Sequence, residues 1–69
     1  MEILSSRLLE LRKARKLTRP EAADAIGISL KSYQRYETGE REPSASVLAA
    51  LADLYEVSAD YLLGRTEEK

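Results

Sequence analysis

The chain contains no cysteine, no histidine, no phenylalanine and no tryptophan. Without cysteine no disulfide can form, and without histidine the commonest metal ligand is missing. The longest apolar run, "VLAALA" at residues 47–52, is far shorter than the roughly 20 residues of a membrane span. These absences argue against a disulfide-stapled, metal-binding or membrane-spanning protein.

An enzyme is the function class that the sequence favours least. It offers no nucleophile–base arrangement, no Gly-rich phosphate loop and no inward-facing pair of carboxylates. We therefore expect no catalytic activity, no cofactor, no metal and no small-molecule ligand. The N-terminus "MEILSS" has no basic region followed by an apolar stretch, so a cytoplasmic location is the expectation.

The small size of the chain limits its organisation. A chain of 69 residues cannot divide its apolar surface between two cores. A domain near this size buries only about 60% of the surface that its unfolded chain exposes, so packing has to be efficient. We expect one domain over residues 1–69, with residues 65–69 as a tail.

Charge is distributed unevenly along the chain. Residues 1–36 carry eight Lys or Arg against four acids, whereas residues 37–69 carry three against eight. This asymmetry predicts one basic face and one acidic face, although the formal net charge is only −1. The alternative is a solvated surface that binds no partner, and charge alone does not decide between the two.

Helix signals recur along the sequence, and strand signals are missing. Leu4, Leu8 and Leu11 fall at helical spacing, which predicts a first helix beginning near Ser5 or Ser6. Four further helices are predicted because every later break coincides with a cap residue or a glycine. In chain order, these cap residues and glycines are Thr18 with Glu21, Gly27, Ser29, Gly39, Ser44, Ser58 and Gly64.

The third helix is predicted to have two chemically different faces. On a wheel of about 100° per residue, Tyr33 and Tyr36 share the face suited to burial. The opposite face consists of Leu30, Lys31, Gln34 and Arg35. It combines donors for guanine edges, an amide suited to adenine and an apolar tip suited to a thymine methyl. A short helix precedes it across a turn containing Gly27, as in a helix-turn-helix, but many surface helices also have a polar face.

The surrounding motifs add weight to this interpretation. They are Leu8, Leu11, Arg12, "LT" at 17–18, Ala23, "IGIS" at 26–29, "RYETG" at 35–39, Pro43-Ser44 and "VSADYLLG" at 57–64. With these motifs the chain resembles the Cro/lambda-repressor-like (XRE-type) helix-turn-helix family over residues 7–64. The resemblance implies an all-α fold, a compact five-helix lambda-repressor-like domain with its helix-turn-helix at about residues 19–37.

The resemblance also implies roles for individual residues. Bases would be contacted by Leu30, Lys31, Gln34 and Arg35. Phosphates would be contacted by Thr18, Arg19, Ser29, Ser32 and Arg41. Arg12 and Glu37 would form an internal ion pair that ties the first helix to the end of the third, a structural role favoured over DNA contact. Arg19 stands where relatives usually have Gln, and Glu40 and Glu42 flank Arg41 in a loop that is usually basic.

The fourth helix has an apolar arc of roughly 200°, wider than burial against one core needs. One explanation is ordinary exposed aliphatic residues. The other is a homodimer contact involving Val47, Leu54, Tyr61 and Leu63. A two-fold dimer on DNA would place two recognition helices about 34 Å apart.

Together these observations predict sequence-specific binding of double-stranded operator DNA, most simply by a transcriptional repressor. The alternative is a helix-turn-helix module that binds a protein, as an antitoxin or regulatory-partner domain, with weak DNA affinity. The acidic residues Glu40 and Glu42 favour that alternative, and the Lys31–Arg35 face disfavours it.

Overall fold

Five α-helices form the regular structure in the computed structural model, which describes residues 1–69. They are α1 (Glu2–Ala14), α2 (Arg19–Ala25), α3 (Leu30–Thr38), α4 (Ala45–Tyr55) and α5 (Ala59–Leu62). No residue lies in a β-strand. The prediction of an all-α fold with five short helices is therefore confirmed. None of the five combines the length and apolarity that crossing a membrane requires.

The start of α1 was predicted wrongly. The helix begins at Glu2 and not near Ser5 or Ser6, and the Met1 carbonyl accepts the first helical hydrogen bond from the Ser5 amide. The Ser5 hydroxyl donates to the Glu2 carbonyl at 3.0 Å, three residues back in the chain. Ser5 thus satisfies a carbonyl inside the helix rather than capping a free amide at its start.

The later helix starts follow the predicted caps. The hydroxyls of Ser29, Ser44 and Ser58 accept hydrogen bonds from the amides of Ser32, Val47 and Tyr61, three residues on in each case. Thr18 and Glu21 form the predicted capping box before α2. Each cap satisfies an amide that the first helical turn would otherwise leave unpaired.

Two helix ends had no sequence signal. Lys16, after α1, and Glu56, after α4, adopt left-handed conformations with φ of +57° and +55°. Glycine is the residue that usually takes this role, as Gly39 does after α3 with φ +83°. Non-glycine residues at these two positions are therefore a local conformational cost that the rest of the fold offsets.

All five helices contribute to one hydrophobic core. Its largest fully buried side chains are Leu8, Tyr33, Leu51, Tyr55 and Leu62. The predicted core face of α1, Leu4, Leu8 and Leu11, is buried. The close packing of α1 and α2 against α3 holds the helix-turn-helix in place.

A polar contact inside this core joins α3 to α4. The hydroxyls of Tyr33 and Tyr55, which are 22 residues apart in the chain, are hydrogen-bonded to each other. Burial raises the pKa of Tyr33, and its hydrogen bond to Tyr55 raises it further. Both groups therefore stay protonated, and each hydroxyl has a partner despite its burial.

The C-terminal residues pack back onto α1 through Arg7. Its guanidinium donates to the carbonyls of Tyr61 and Thr66 and to the Glu67 carboxylate. It also lies over the Tyr61 ring, 4.0 Å from the ring centre. The Ser58 amide donates to a Lys69 oxygen at 2.9 Å, so the last residues lie along α5.

Candidate nucleic-acid interface

Helix α3 is fixed in place by its aromatic face. Tyr33 is fully buried and Tyr36 is 6% exposed, as the helical wheel predicted. The helix begins at the Ser29 cap and ends at Gly39. Since the tyrosines fix the rotation of the helix about its axis, the opposite face is directed out of the domain.

The outward face carries the residues predicted to contact bases. Leu30 is 40% exposed, which is unusual for a large apolar side chain in this protein. Lys31 is exposed, and Gln34 and Arg35 are half-buried. A shallow polar depression of about 320 Å³ adjoins these residues. Its lining residues come from α2, α3 and the following loop: Arg19, Lys31, Gln34, Arg35, Thr38 and Glu40.

Glu37, on the inner side of the same helix, holds two arginines. Arg12 donates to both carboxylate oxygens of Glu37, at 2.9 and 3.0 Å, and also donates to the Leu17 carbonyl. Arg19 donates through Nε to Oε1 of Glu37 at 2.9 Å. The Glu37 side chain is only 1% exposed. The structure thus places Arg12 and Glu37 together and adds Arg19, which the sequence had assigned to DNA alone.

The protonation state of Glu37 follows from these contacts. Burial by itself would raise the pKa of its carboxyl, but the hydrogen bonds from Arg12 and Arg19 outweigh it and leave the pKa lowered. The hydrogen bond to Glu37 raises the pKa of Arg12. Arg12 and Glu37 are therefore both charged at neutral pH, and the guanidinium of Arg19 gives the cluster a net positive charge.

The first turn of α2 has few free donors for a phosphate. The Thr18 hydroxyl oxygen accepts from the Glu21 amide, and the Glu21 carboxylate accepts from the Thr18 amide. Pro20 has no amide proton, and the Ala22 amide donates to the Thr18 carbonyl. This leaves the Arg19 amide, the Thr18 hydroxyl proton and the Arg19 side chain.

The remaining predicted phosphate contacts flank α3. The Ser29 hydroxyl is hydrogen-bonded to the Ser32 hydroxyl at 3.0 Å while it caps the helix, so these two side chains lie together at the start of α3. Arg41 is exposed in the loop after Gly39, between the exposed Glu40 and Glu42. The loop with Arg41 and the start of α3 therefore lie at opposite ends of the outward face.

The residues predicted for a dimer contact lie elsewhere. Val47 and Leu54 are half-buried and pack against the core. Tyr61 is only 9% exposed because Arg7 covers its ring, and Leu63 is half-buried after α5. The apolar surface in this region is thus largely used within the domain.

Comparison with known proteins agrees with this geometry. A family model described as helix-turn-helix matches residues 8–62, most of the chain. The chain belongs to the helix-turn-helix family. The matched residues include α2, the turn at Gly27 and α3.

Relatives of this helix-turn-helix chain include three named regulators. It is 48% identical over 62 residues to the uncharacterized HTH-type transcriptional regulator YobD of Bacillus subtilis (strain 168), covering 90% of this chain and 55% of that protein. It is 46% identical over 63 residues to the HTH-type transcriptional regulator AnsR of the same organism, covering 91% and 54%. It is 47% identical over 62 residues to the cryptic phage CTXphi transcriptional repressor RstR of Vibrio cholerae, covering 90% and 55%. The chain spans about half the length of these relatives.

Proposed function

We propose that this helix-turn-helix chain binds double-stranded DNA in a sequence-specific manner and acts as a transcriptional repressor. One observation carries the proposal: the buried Tyr33 and Tyr36 turn Leu30, Lys31, Gln34 and Arg35 outward on a helix narrow enough for the major groove. The names of the relatives, which include a repressor and transcriptional regulators, support it.

Within this proposal α3 reads the bases and the flanking residues hold the phosphates. Lys31 and Arg35 offer donors suited to the guanine edge, and Gln34 offers an amide suited to adenine. Thr18, Arg19, Ser29, Ser32 and Arg41 are the proposed phosphate contacts. A domain seated on an operator would repress by excluding polymerase, without catalysis, and would do so in the cytoplasm.

We further propose that the chain binds DNA as a homodimer on a near-palindromic site. The acidic Glu40 and Glu42 next to the outward face weaken attraction to phosphates, so a single domain would bind modestly. The exposed parts of the half-buried Val47, Leu54 and Leu63 would supply the apolar contact, with Tyr61 contributing little because Arg7 covers it. Two linked domains would bind more tightly than one.

The decisive experiment is selection of binding sites from random DNA duplexes, followed by fluorescence anisotropy on the selected site. Lys31→Ala with Arg35→Ala should weaken specific binding about a hundredfold or more, since each good base contact discriminates by about 1–3 kcal/mol. Lys13→Ala with Arg65→Ala removes the same charge from exposed positions outside the outward face and is the matched control. Equal binding by the two double variants would contradict base contact by α3.

Protein binding is the second candidate, and the exposed acids Glu40 and Glu42 are the observation that favours it. The same selection distinguishes the two functions. A protein-interaction module would recover no preferred sequence, and its weak DNA binding would vanish uniformly as salt is raised.

A further inference from the structure

Arg19 and Glu37 form a contact that joins the outward face to the interior of the domain. Arg19 lines the polar depression together with Lys31, Gln34 and Arg35, yet its Nε donates to the buried Glu37. The Arg19 side chain is 39% exposed, whereas that of Glu37 is 1% exposed. One end of the arginine is therefore anchored inside the domain while the other reaches the surface.

The anchoring uses only one of the nitrogens of Arg19. Its hydrogen bond to Glu37 runs through Nε, and neither terminal nitrogen donates to another protein atom. The guanidinium plane is fixed by this bond and by its donor geometry. Two terminal nitrogens with parallel N–H bonds are the group that binds a phosphate in a bidentate manner.

Arg19 also carries most of the phosphate-binding capacity at the start of α2. The capping box engages the amides of Thr18 and Glu21, and Pro20 has none. The carboxylate of Glu21 adds a negative charge there, because hydrogen bonds from Thr18 keep its pKa lowered. A bound phosphate at this point would therefore depend on the side chain of Arg19 rather than on the helix end.

We propose that Glu37 is a positioning residue for DNA binding, which holds Arg19 through Nε so that its terminal nitrogens clamp a backbone phosphate beside α3. The inference rests on the proposed DNA-binding function. The buried carboxylate of Glu37 would then have two roles. Its bonds with Arg12 tie α1 to α3, and its bond with Arg19 orients that side chain toward the phosphate. Pre-orientation lowers the entropy lost when the clamp closes on the phosphate.

Neutralising Glu37 should change DNA affinity in opposite directions under this proposal and under simple charge repulsion. Glu37 is negative and lies behind a surface that would face phosphates, so its neutralisation should strengthen DNA binding if only net charge mattered. If Glu37 positions Arg19, Glu37→Gln weakens binding, because the amide carries no negative charge and replaces one of the two acceptor oxygens with an NH2 donor that cannot accept from an arginine. The direction of the change therefore separates the two explanations.

Arginine and lysine should differ at position 19 for the same reason. A lysine has a single ammonium nitrogen, so it cannot keep one nitrogen on Glu37 while two others bind the phosphate side by side. Arg19→Lys keeps the charge and loses the fork, so we expect about tenfold weaker binding to the selected duplex. The slope of log affinity against log salt should change little, since the number of cationic groups is unchanged. Arg65→Lys, at an exposed position, is the matched control.

The experiment measures affinity and salt slope on the selected duplex for wild type, Glu37→Gln, Arg19→Lys, Arg19→Ala and the double variant Arg19→Ala with Glu37→Gln. Circular dichroism at the assay temperature establishes that each variant is folded. We expect Glu37→Gln and Arg19→Lys each to bind about tenfold more weakly. In the Arg19→Ala background, Glu37→Gln should cause no further weakening, because the residue through which it acts is gone.

The outcomes separate this inference from the function on which it rests. If wild type selects and binds a duplex and Arg19→Lys binds it as tightly, the inference about Glu37 is wrong. The proposal of sequence-specific DNA binding is then unaffected. Tighter binding by folded Glu37→Gln overturns the inference as well. Wild type that selects no sequence removes the proposed function, and the inference with it. If Glu37→Gln does not fold, Arg19→Lys against Arg65→Lys still decides the matter.

Discussion

The hydroxyl groups of Tyr33 and Tyr55 lie 2.5 Å apart in the core and form its one tyrosine–tyrosine hydrogen bond. Tyr33 belongs to the helix whose outer face we assign to DNA, and Tyr55 ends the helix behind it. The contact is polar at a depth where water does not reach. The orientation of α3 therefore depends on a directional bond as well as on hydrophobic packing.

Removal of one of these hydroxyls should be costly. Tyr33→Phe leaves the Tyr55 hydroxyl buried without its partner, and we expect a loss of about 1–3 kcal/mol in the free energy of unfolding. Adding Tyr55→Phe should recover part of that loss, because neither polar group then remains. Urea denaturation of the two variants gives the comparison.

Tyr36→Phe is the control for the loss of a tyrosine hydroxyl. Tyr36 is also buried on α3, but its hydroxyl has no hydrogen-bond partner in the protein and is not fully shielded from solvent. We expect a change within about 0.5 kcal/mol. A loss in Tyr36→Phe as large as that in Tyr33→Phe would mean that the paired hydroxyls have no special importance.

Stability should decrease in acid because of Glu37. Its hydrogen bonds with Arg12 and Arg19 leave the folded-state pKa below the ordinary value of 4.5. As the pH falls, the unfolded chain takes up a proton at this group before the folded chain does. The contribution of Glu37 is therefore complete above about pH 4.5 and is lost as the pH falls through the folded pKa.

Melting temperatures between pH 7 and pH 3 test this dependence. Glu37→Gln should be less stable than wild type at pH 7, and the difference should narrow below about pH 4.5. Glu68→Gln removes an exposed carboxylate and is the control. A gap between wild type and Glu37→Gln that stays constant down to pH 3 would show that the ionised carboxylate is not what stabilises the cluster.

Arg7 should hold the C-terminal residues in place. Its guanidinium bonds Tyr61, Thr66 and Glu67 and lies over an aromatic ring, and Lys cannot reproduce this planar fork. We expect Arg7→Lys to lose about 1–2 kcal/mol of stability. Hydrogen exchange at the Ser58 amide, which bonds Lys69, should become faster. Exchange at Ser58 as slow as in wild type would show that the segment is held by other contacts.

Glycine at position 16 should stabilise the domain. Lys16 has φ +57° just after α1, a conformation that costs an L-residue about 1 kcal/mol and that glycine adopts freely. We expect Lys16→Gly to gain about 0.5–1 kcal/mol, whereas Lys13→Gly inside α1 should lose about 1 kcal/mol. Thermal unfolding measures the change in stability of each variant. Two changes of the same sign would contradict this reasoning.

Most of the fold could be predicted because the sequence marks it locally. Ser29, Ser44 and Ser58 each cap a helix, and Gly39 ends one, by interactions within a few residues. The start of α1 was wrong because a serine in the first turn can satisfy a carbonyl as well as cap an amide. Lys16 and Glu56 gave no signal because neither is a residue type that favours their conformation.

The candidate site was predictable only in part. The outward position of Lys31 and Arg35 follows from the periodicity of one helix. In the structure both residues lie on the face of α3 opposite the buried tyrosines. The double use of Glu37 could not be foreseen, since Arg19 lies 18 residues away and meets it only when α2 packs against α3. The covering of Tyr61 by Arg7 depends in the same way on a contact between residues 54 apart.

The contact of Arg7 with α5 and the residues after it has a consequence for synthesis on the ribosome. Arg7 is translated before most of the domain, but its acceptors at Tyr61 and Thr66 follow more than 50 residues later. Leu62, which is fully buried, completes the core at the same late stage. The bonds that tie the C-terminal residues to α1 can therefore form only after nearly the whole domain has been synthesised, whereas the packing of α1 against α3 needs only the first 38 residues.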